Sequence, residues 1–457
     1  MMQWCERKGL SRTSFASKPL HWGGTHAPVA EEGEQAFESF SPRYLHRCAQ
    51  TGTDGSKIII FGGQSARETF HNDVHFLDLD ARANPTRAMK KLDVLTRGDA
   101  EAPFRRCSGA IQTLTVFDAE TGKAGREVIA LFGGSCGYLH GFSNSLSILQ
   151  SDVPGQSIST ALITGAQLTW YEPNIDESLR TTAGGHAGPQ PRWGHCTVPY
   201  EGKMLIFAGS SSQACYNDLW ECRLENDVAS TSPMEITAKW TLLAPLSGAD
   251  RSRMPCARAG GSISIVRDCL YLFGGCRISH TFNDLWKLDL KDLASGWEQI
   301  QTTGTPAAPR VGHATVVLGD RIIIQGGRGI TPNKNSTPAP RLGKFSKEGL
   351  AAMQDLIFFE SGFQIIDVHS KTWLPPQYPL ESDESNELQQ EQQQQQQMFA
   401  DDATQKNGLS SKSPEDEDVR EHRTGHALLL APDGLVLIGG LGFNARFQSD
   451  VQLVKLF

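Results

Sequence analysis

No run of about 18 apolar residues occurs in this chain, so no membrane-spanning helix is expected. Ten cysteines are scattered without a single CxxC spacing. Cys107, Cys196 and Cys269 lie in apolar runs, where a thiol behaves as a small hydrophobe. That usage fits a reduced compartment, cytosol first and nucleus second, rather than a disulfide scaffold. GxSxG, HExxH and phosphate-loop motifs are absent, so no nucleophile elbow, zinc helix or phosphate cradle is expected. Met1 to Ser17 carries Lys and Arg but also Glu6, and it has no apolar core. This argues against a secretory signal and leaves only a weak likeness to a mitochondrial presequence.

What is present is repetition. The 457 residues are 39% hydrophobic and 21% charged, ample for a buried core. Six hydrophobic runs end in a small-residue doublet: Gly62-Gly63, Gly133-Gly134, Ala208-Gly209, Gly274-Gly275, Gly326-Gly327 and Gly439-Gly440. Before each stands an arginine that opens another apolar run: Arg43, Arg105 or Arg106, Arg192, Arg258, Arg310 and Arg423. In four repeats the arginine precedes the doublet by 16 residues. Self-similarity of this kind means one supersecondary unit used many times, hence one closed domain rather than two or three.

Within the fifth repeat, Arg310-Val311-Gly312-His313 leads into Ala314 to Leu318, a β-branched run. Gly319-Asp320 is a turn pair, and Arg321 to Ile324 a second run closed by Gly326-Gly327. Phe363 to Asp367 is a third and Trp373 opens a fourth, so the unit reads as an antiparallel meander. Third strands follow Asn72-Asp73, Asn217-Asp218, Asn283-Asp284 and Ser449-Asp450, where an Asx turn is expected. Fourth strands are marked by Trp170, Trp240, Trp297 and Trp373. The doublets are expected where backbones approach too closely for a Cβ.

The R-x-G-H start, the apolar run into GG, the N-D-h-W third strand and the fourth-strand Trp resemble kelch repeats. Arg192-Trp193-Gly194-His195 with Asn217-Asp218-Leu219-Trp220 is a close match. The resemblance covers roughly residues 20 to 457 and implies an all-β, six-bladed β-propeller. Blades are expected at about 43–100, 101–175, 191–245, 257–303, 309–376 and 422–457. The last repeat lacks a fourth strand, while Trp22 stands 21 residues before Arg43. Residues 20–26 are therefore expected to close the ring, removing the open sheet edges, with 1–19 as a tail.

Residues 377–421 read as a disordered insertion between the last two blades. They hold a polyglutamine tract, Gln392 through Gln397, that cannot bury a core. From Glu381 to Glu421 the net charge is −9 against −8 for the whole chain, so the acidity belongs to the insertion. The body shows no basic stripe, and nucleic acid is not an expected partner.

In kelch propellers that bind short acidic peptides, the face carrying the 2–3 loops and the inter-blade loops is the one used. The resemblance makes Arg43, Arg105, Arg192, Arg258, Arg277, Arg310, Arg328 and Arg423 the candidate partner-binding set. Paired hydrogen bonds to carboxylates suit arginine's planar fork. The competing reading is structural, since a residue encoded in every repeat usually does a repeat-encoded job such as binding a neighbouring blade's carbonyls. His46, His195, His313 and His426 belong to separate blades and read as structural rather than as metal ligands. Trp193 and Tyr44 at the mouth read first as packing. No copper set of Tyr and His and no E-x3-D-x3-H iron motif stands out, and no room precedes Trp22 for a BTB or F-box domain. The expectation is a monomeric, non-catalytic scaffold that binds a protein, without cofactor, metal or membrane. The alternative is an enzyme or sugar-type binder at the pore mouth.

Overall fold

The computed structural model describes residues 15–20, 40–52, 54–66, 69–81, 89–96, 103–137, 141–176, 187–226, 236–244, 254–278, 280–330, 356–358, 362–377, 379–380, 423–432, 434–442 and 447–456. The insertion at 381–421, Trp22, Arg67 and Arg446 lie outside them. The fold is all-β and propeller-like, built from antiparallel meanders.

The first meander runs Arg47–Thr51, Lys57–Phe61, Val74–Asp78 and Met89–Leu92, each strand paired with the next. Ala110–Asp118, Ala124–Phe132, Leu146–Ser151 and Leu168–Tyr171 make the second. The third is Cys196–Tyr200, Lys203–Phe207, Leu219–Asn226 and Ile236–Ala244. Ser262–Val266, Cys269–Phe273, Leu285–Asp289 and Glu298–Gln299 follow, then Ala314–Leu318, Arg321–Gln325, Phe363–Asp367 and Thr372–Gln377. The last chain segment gives Ala427–Ala431, Gly434–Gly442 and Phe447–Leu456, and Phe15–Leu20 pairs antiparallel with the third of these. Second strands such as Lys57–Phe61 are buried at every position, which is why they read as unbroken apolar runs rather than alternating ones.

Neighbouring meanders are stapled by aromatics. Phe61, Phe132, Phe207 and Phe273 end their second strands, and each packs on the fourth-strand Trp of the following meander. Ring centroids stand 5.6, 4.9, 5.2 and 5.5 Å apart, in the tilted and edge-on geometries that aromatic quadrupoles favour. The inner strands touch in order, and the sixth touches the first. At their entry, six residues two past the repeat arginines form a closed hydrogen-bond cycle. Ser108 N donates to Leu45 O, Gly194 N to Ser108 O, Gly260 N to Gly194 O, Gly312 N to Gly260 O, Gly425 N to Gly312 O and Leu45 N to Gly425 O, at 2.7–3.1 Å. Four are glycine because the position needs positive φ; Leu45 and Ser108 hold 55° and 56° there.

Connectors guard the outer edges. Val94–Thr96 pairs in parallel with Leu168–Tyr171, Asn174–Ile175 with Ile236–Ala244, Thr303 with Thr372, and Pro379–Leu380 with Phe15–Leu20. Each linker thus runs along the outer strand of the next meander, a defence against edge-to-edge pairing. Among the described residues one α-helix departs from the all-β reading. The helix Ile158–Thr164 is capped by Ser157, whose hydroxyl accepts from Thr160 N, and closed by Gly165 in the left-handed conformation. Its buried Ile158, Ala161 and Leu162 join the core shared by the first two meanders.

The N-terminal strand described is Phe15–Leu20; of the expected 20–26, all but Leu20 lie outside the described residues. The register runs from Phe15 opposite Leu456 to Leu20 opposite Val451.

Candidate functional site

Each repeat arginine is fastened to its own meander. Nε of Arg43, Arg106, Arg192, Arg258 and Arg310 donates to the carbonyl two residues back, at 3.0–3.1 Å. Nη1 of all six, Arg423 included, donates to the first carbonyl of the doublet at 2.8–3.2 Å. In three repeats a carboxylate completes the fork. Arg43 binds Asp73, Arg192 binds Asp218 and Arg258 binds Asp284, each through two bonds of 2.6–3.0 Å. Phe40, Tyr216 and Phe282 lie under those guanidinium groups at 4.6, 4.2 and 4.1 Å.

The N-D dipeptide therefore has a chemical meaning beyond a turn. Trp220 and Trp286 donate their indole N–H to the same Asp218 and Asp284, and His75 bonds Asp73. Asn217 and Asn283 donate to the carbonyls of Pro255 and Ala307 on the incoming connector. Burial alone would raise the Asp73 and Asp284 carboxyls. Bonds from His75 and Arg43, and from Arg258 and Trp286, instead hold them below the usual carboxylate range. The second meander has Ser143 and Ser145 in place of the acid, and Arg106 donates weakly to both.

The burial of Arg43, Arg192, Arg258, Arg310 and Arg423, at most 3% exposed, corrects their expected place in a partner-binding set. The bonds given above all go to the repeat's own carbonyls and acids, not to a neighbouring blade's. Of the two arginines open at the second repeat, Arg106 is the buried structural one and Arg105 is exposed.

Three expected arginines remain accessible: Arg105, Arg277 and Arg328, exposed, exposed and half-buried. Among the described residues none has a carboxylate partner. Nε of Arg328 is buried and bonded to nothing among them. The residue after each arginine pairs with the residue after each doublet: Tyr44 with Gln64, Cys107 with Ser135, Trp193 with Ser210, Ala259 with Cys276 and Val311 with Arg328. Of these, Ser135, Trp193, Ser210 and Arg328 keep accessible surface, and the other six are buried. Trp193 stacks on Phe142, centroids 6.3 Å apart and planes 13° from parallel, and Ser210 continues by a bridge to Cys215. Cys215 lies in the field of Arg277, and Cys276 in that of Arg328. The result is a strip from Phe142 and Trp193 through Ser210 and Cys215 to Arg277 and Arg328. Its aromatic end can take a flat apolar group and its far end an anion. Phe142 escaped sequence reasoning because it follows the doublet in an irregular loop, with no repeat-encoded signal.

His46, His195, His313 and His426 are buried at the seams. Burial, then Arg43 and Arg47, pushes His46 down to about 3. Burial and Arg310 do the same to His313, and His195 and His426 are also well below the ordinary imidazole range. Among the described residues no His, Cys, Asp and Glu group could hold a metal ion.

The KLHDC2/KLHL20/DRC7 Kelch-repeats domain model matches residues 119–327. Kelch domain-containing protein 3 of Homo sapiens is 25% identical over 227 residues, 48% of this chain and 50% of that protein. Tip elongation aberrant protein 1 of Schizosaccharomyces pombe is 28% identical over 277 residues, 60% of this chain and 20% of that one. Rho GTPase-activating protein gacHH of Dictyostelium discoideum is 26% identical over 196 residues, 41% and 12% of the two chains. This chain thus spans half or less of the length of these curated relatives. The solved structure of YjhT overlaps 92% of this chain and 98% of its own, at 14% identity and a TM-score of 0.49. The family match over 119–327, these curated relatives and the arginine-doublet meanders together make this chain similar to the kelch-repeat proteins.

Proposed function

We propose that the protein is a non-catalytic interaction scaffold, a six-bladed propeller closed by Phe15–Leu20 that holds a partner protein on its mouth. The observation that carries this reading is the strip of accessible aromatic and unpaired cationic side chains from Trp193 to Arg328. Arg and Trp are the residue types that dominate binding energy where protein surfaces meet. Uncompensated arginines at one end of the strip suit an acidic segment of the partner, through bidentate bonds. The cycle of inner-strand hydrogen bonds supports the ring, and the nine free cysteines among the described residues suit a cytosolic or nuclear setting. The acidic insertion is taken as a solvated spacer.

Affinity purification from lysate with the wild type and with an R277A/R328A/W193A variant tests the reading. A stoichiometric partner held by the wild type should be lost by the variant, while circular dichroism shows both folded. Its binding should weaken as salt rises, because exposed charges are screened within about 10 Å at 0.1 M. A partner retained in full by the variant, stoichiometric bound metal, or turnover in a sugar-oxidation screen would overturn the proposal.

A further inference from the structure

Four residues past the repeat arginine, the six repeats place Arg47, Ala110, Cys196, Ser262, Ala314 and Ala427. Five are small and uncharged; the first repeat alone puts a guanidinium on the innermost strand. Arg47 is half-buried there and reaches sideways into the second repeat. Nε donates to Gly109 O at 2.8 Å, and Nη2 approaches Ser108 Oγ at 3.4 Å. Ser108 is one of the six residues of the closed cycle, so the head of Arg47 stands at the neck of the central opening.

No negative charge among the described residues answers it. Among the described residues no carboxylate lies within ion-pair distance of Arg47, and Nη1 bonds no protein atom. The thiols of Cys48, Cys107 and Cys196 are the titratable groups whose fields it feels. Burial pushes the thiols of Cys107 and Cys196 up to about 12 and that of Cys48 up as well, so they stay neutral. His46 and His195, which also feel Arg47, are neutral too. A cation held partly out of water among neutral groups is costly unless an anion or solvent answers it.

We propose that Arg47 makes the neck of the central opening a binding site for a small free monovalent anion, of chloride or formate type. Size argues for a free ion rather than a chain. Hydrogen-bonded neighbours stand about 4.8 Å apart, so a cycle of six is about 10 Å across between backbones. Once the atoms' own radii are subtracted, water and small ions pass but a folded segment does not. The site is separate from the Trp193–Arg328 strip and does not depend on the partner proposed above.

The test is thermal melting of the full chain at constant ionic strength, with sodium gluconate replaced stepwise by chloride, bromide or formate. The wild type should show a saturable rise in Tm, as a ligand of the folded state requires. Arg47→Ala, which copies Ala314 and Ala427, should lose that response, and Arg47→Lys should keep part of it. A wild type indifferent to the anion, or an Arg47→Ala variant with the full response, overturns the proposal. If Arg47→Ala fails to fold, anomalous diffraction from wild-type crystals in bromide decides. A bromide peak within hydrogen-bond reach of Arg47 sustains the site, and a bare neck removes it.

Discussion

At the residue scale, the glycine doublets are seams between repeats. A Cβ on Gly133, Gly274, Gly326 or Gly439 would stand 2.8–2.9 Å from Cε1 of His195, His313, His426 or His46 of the following repeat. The third doublet begins with Ala208 instead, and the following repeat has Gly261 where its neighbours have His. The imidazole that would meet the methyl is absent there; the second repeat has Gly109 at the same position, but a Cβ on Gly62 would stand 2.5 Å from Arg106 O, so that doublet keeps its glycine. Gly133→Ala should therefore cost about 2–4 kcal/mol, from positive φ and overpacking together. Combined with His195→Gly it should cost less than the sum of the two single changes, by about 1 kcal/mol. Ala208→Gly should stay within about 1 kcal/mol of wild type. Denaturant midpoints of the set measure this, and strictly additive costs would sink the account. The doublets and arginines were legible in the sequence because every repeat writes them. The pairing of Ala208 with Gly261 was not, because it joins positions in two repeats that only packing brings together. Nor could spacing tell that the arginines' donors are spent internally, since the Asp partner lies 26 residues on from Arg192 and Arg258.

At the scale of elements, a Phe at the end of one second strand and a Trp in the next fourth strand form one inter-repeat staple. The Trp markers were visible as strand positions, but their partners were not. In the fifth and sixth repeats Gln325 and Ile438 replace the Phe, and the first repeat has no Trp. The seam between the last and first repeats therefore lacks this staple and rests on a core of Ile58, Ile60 and Leu77 packed against Ala431, Val436, Ile438 and Val451. Phe15–Leu20 covers six residues of Phe447–Leu456 and is itself covered by Pro379–Leu380. Pro19 is tolerated there because an outer strand need not donate on both sides. Removing residues 1–20 should expose Phe447–Leu456 as a long edge, lower Tm by several degrees and promote aggregation. Light scattering and calorimetry on the truncated chain check this. A truncated protein that stays monomeric with an unchanged Tm would place the strand's contribution elsewhere.

At the scale of the whole molecule, four buried neutral imidazoles make stability depend on pH. His46 and His313 sit at about 3 when folded and at an ordinary 6.5 when unfolded, and His195 and His426 are lowered in the same sense. Below pH 6.5 the unfolded chain takes up protons that the folded chain refuses, so stability falls as pH falls. It is fully present above 6.5, and each histidine's loss continues until its own folded pKa is reached. One such group is worth about 1.4 kcal/mol per pH unit, so four approach about 5 kcal/mol per unit well below 6.5. Asp73 and Asp284, held low, act in the same direction only near and below 3.8. Between about pH 6 and pH 4.5 the slope should thus belong mainly to histidine. Denaturant unfolding over that window should give a proton uptake approaching one from each of the four, with a further contribution from His71, also lowered by burial, and His313→Ala should lower it by one. Each ring lies against a neighbouring repeat's doublet, so protonating one loads a seam rather than a loop, and the transition should be a single cooperative step. An uptake near zero, or a local transition that leaves the meanders folded, would refute this placing of the imidazoles.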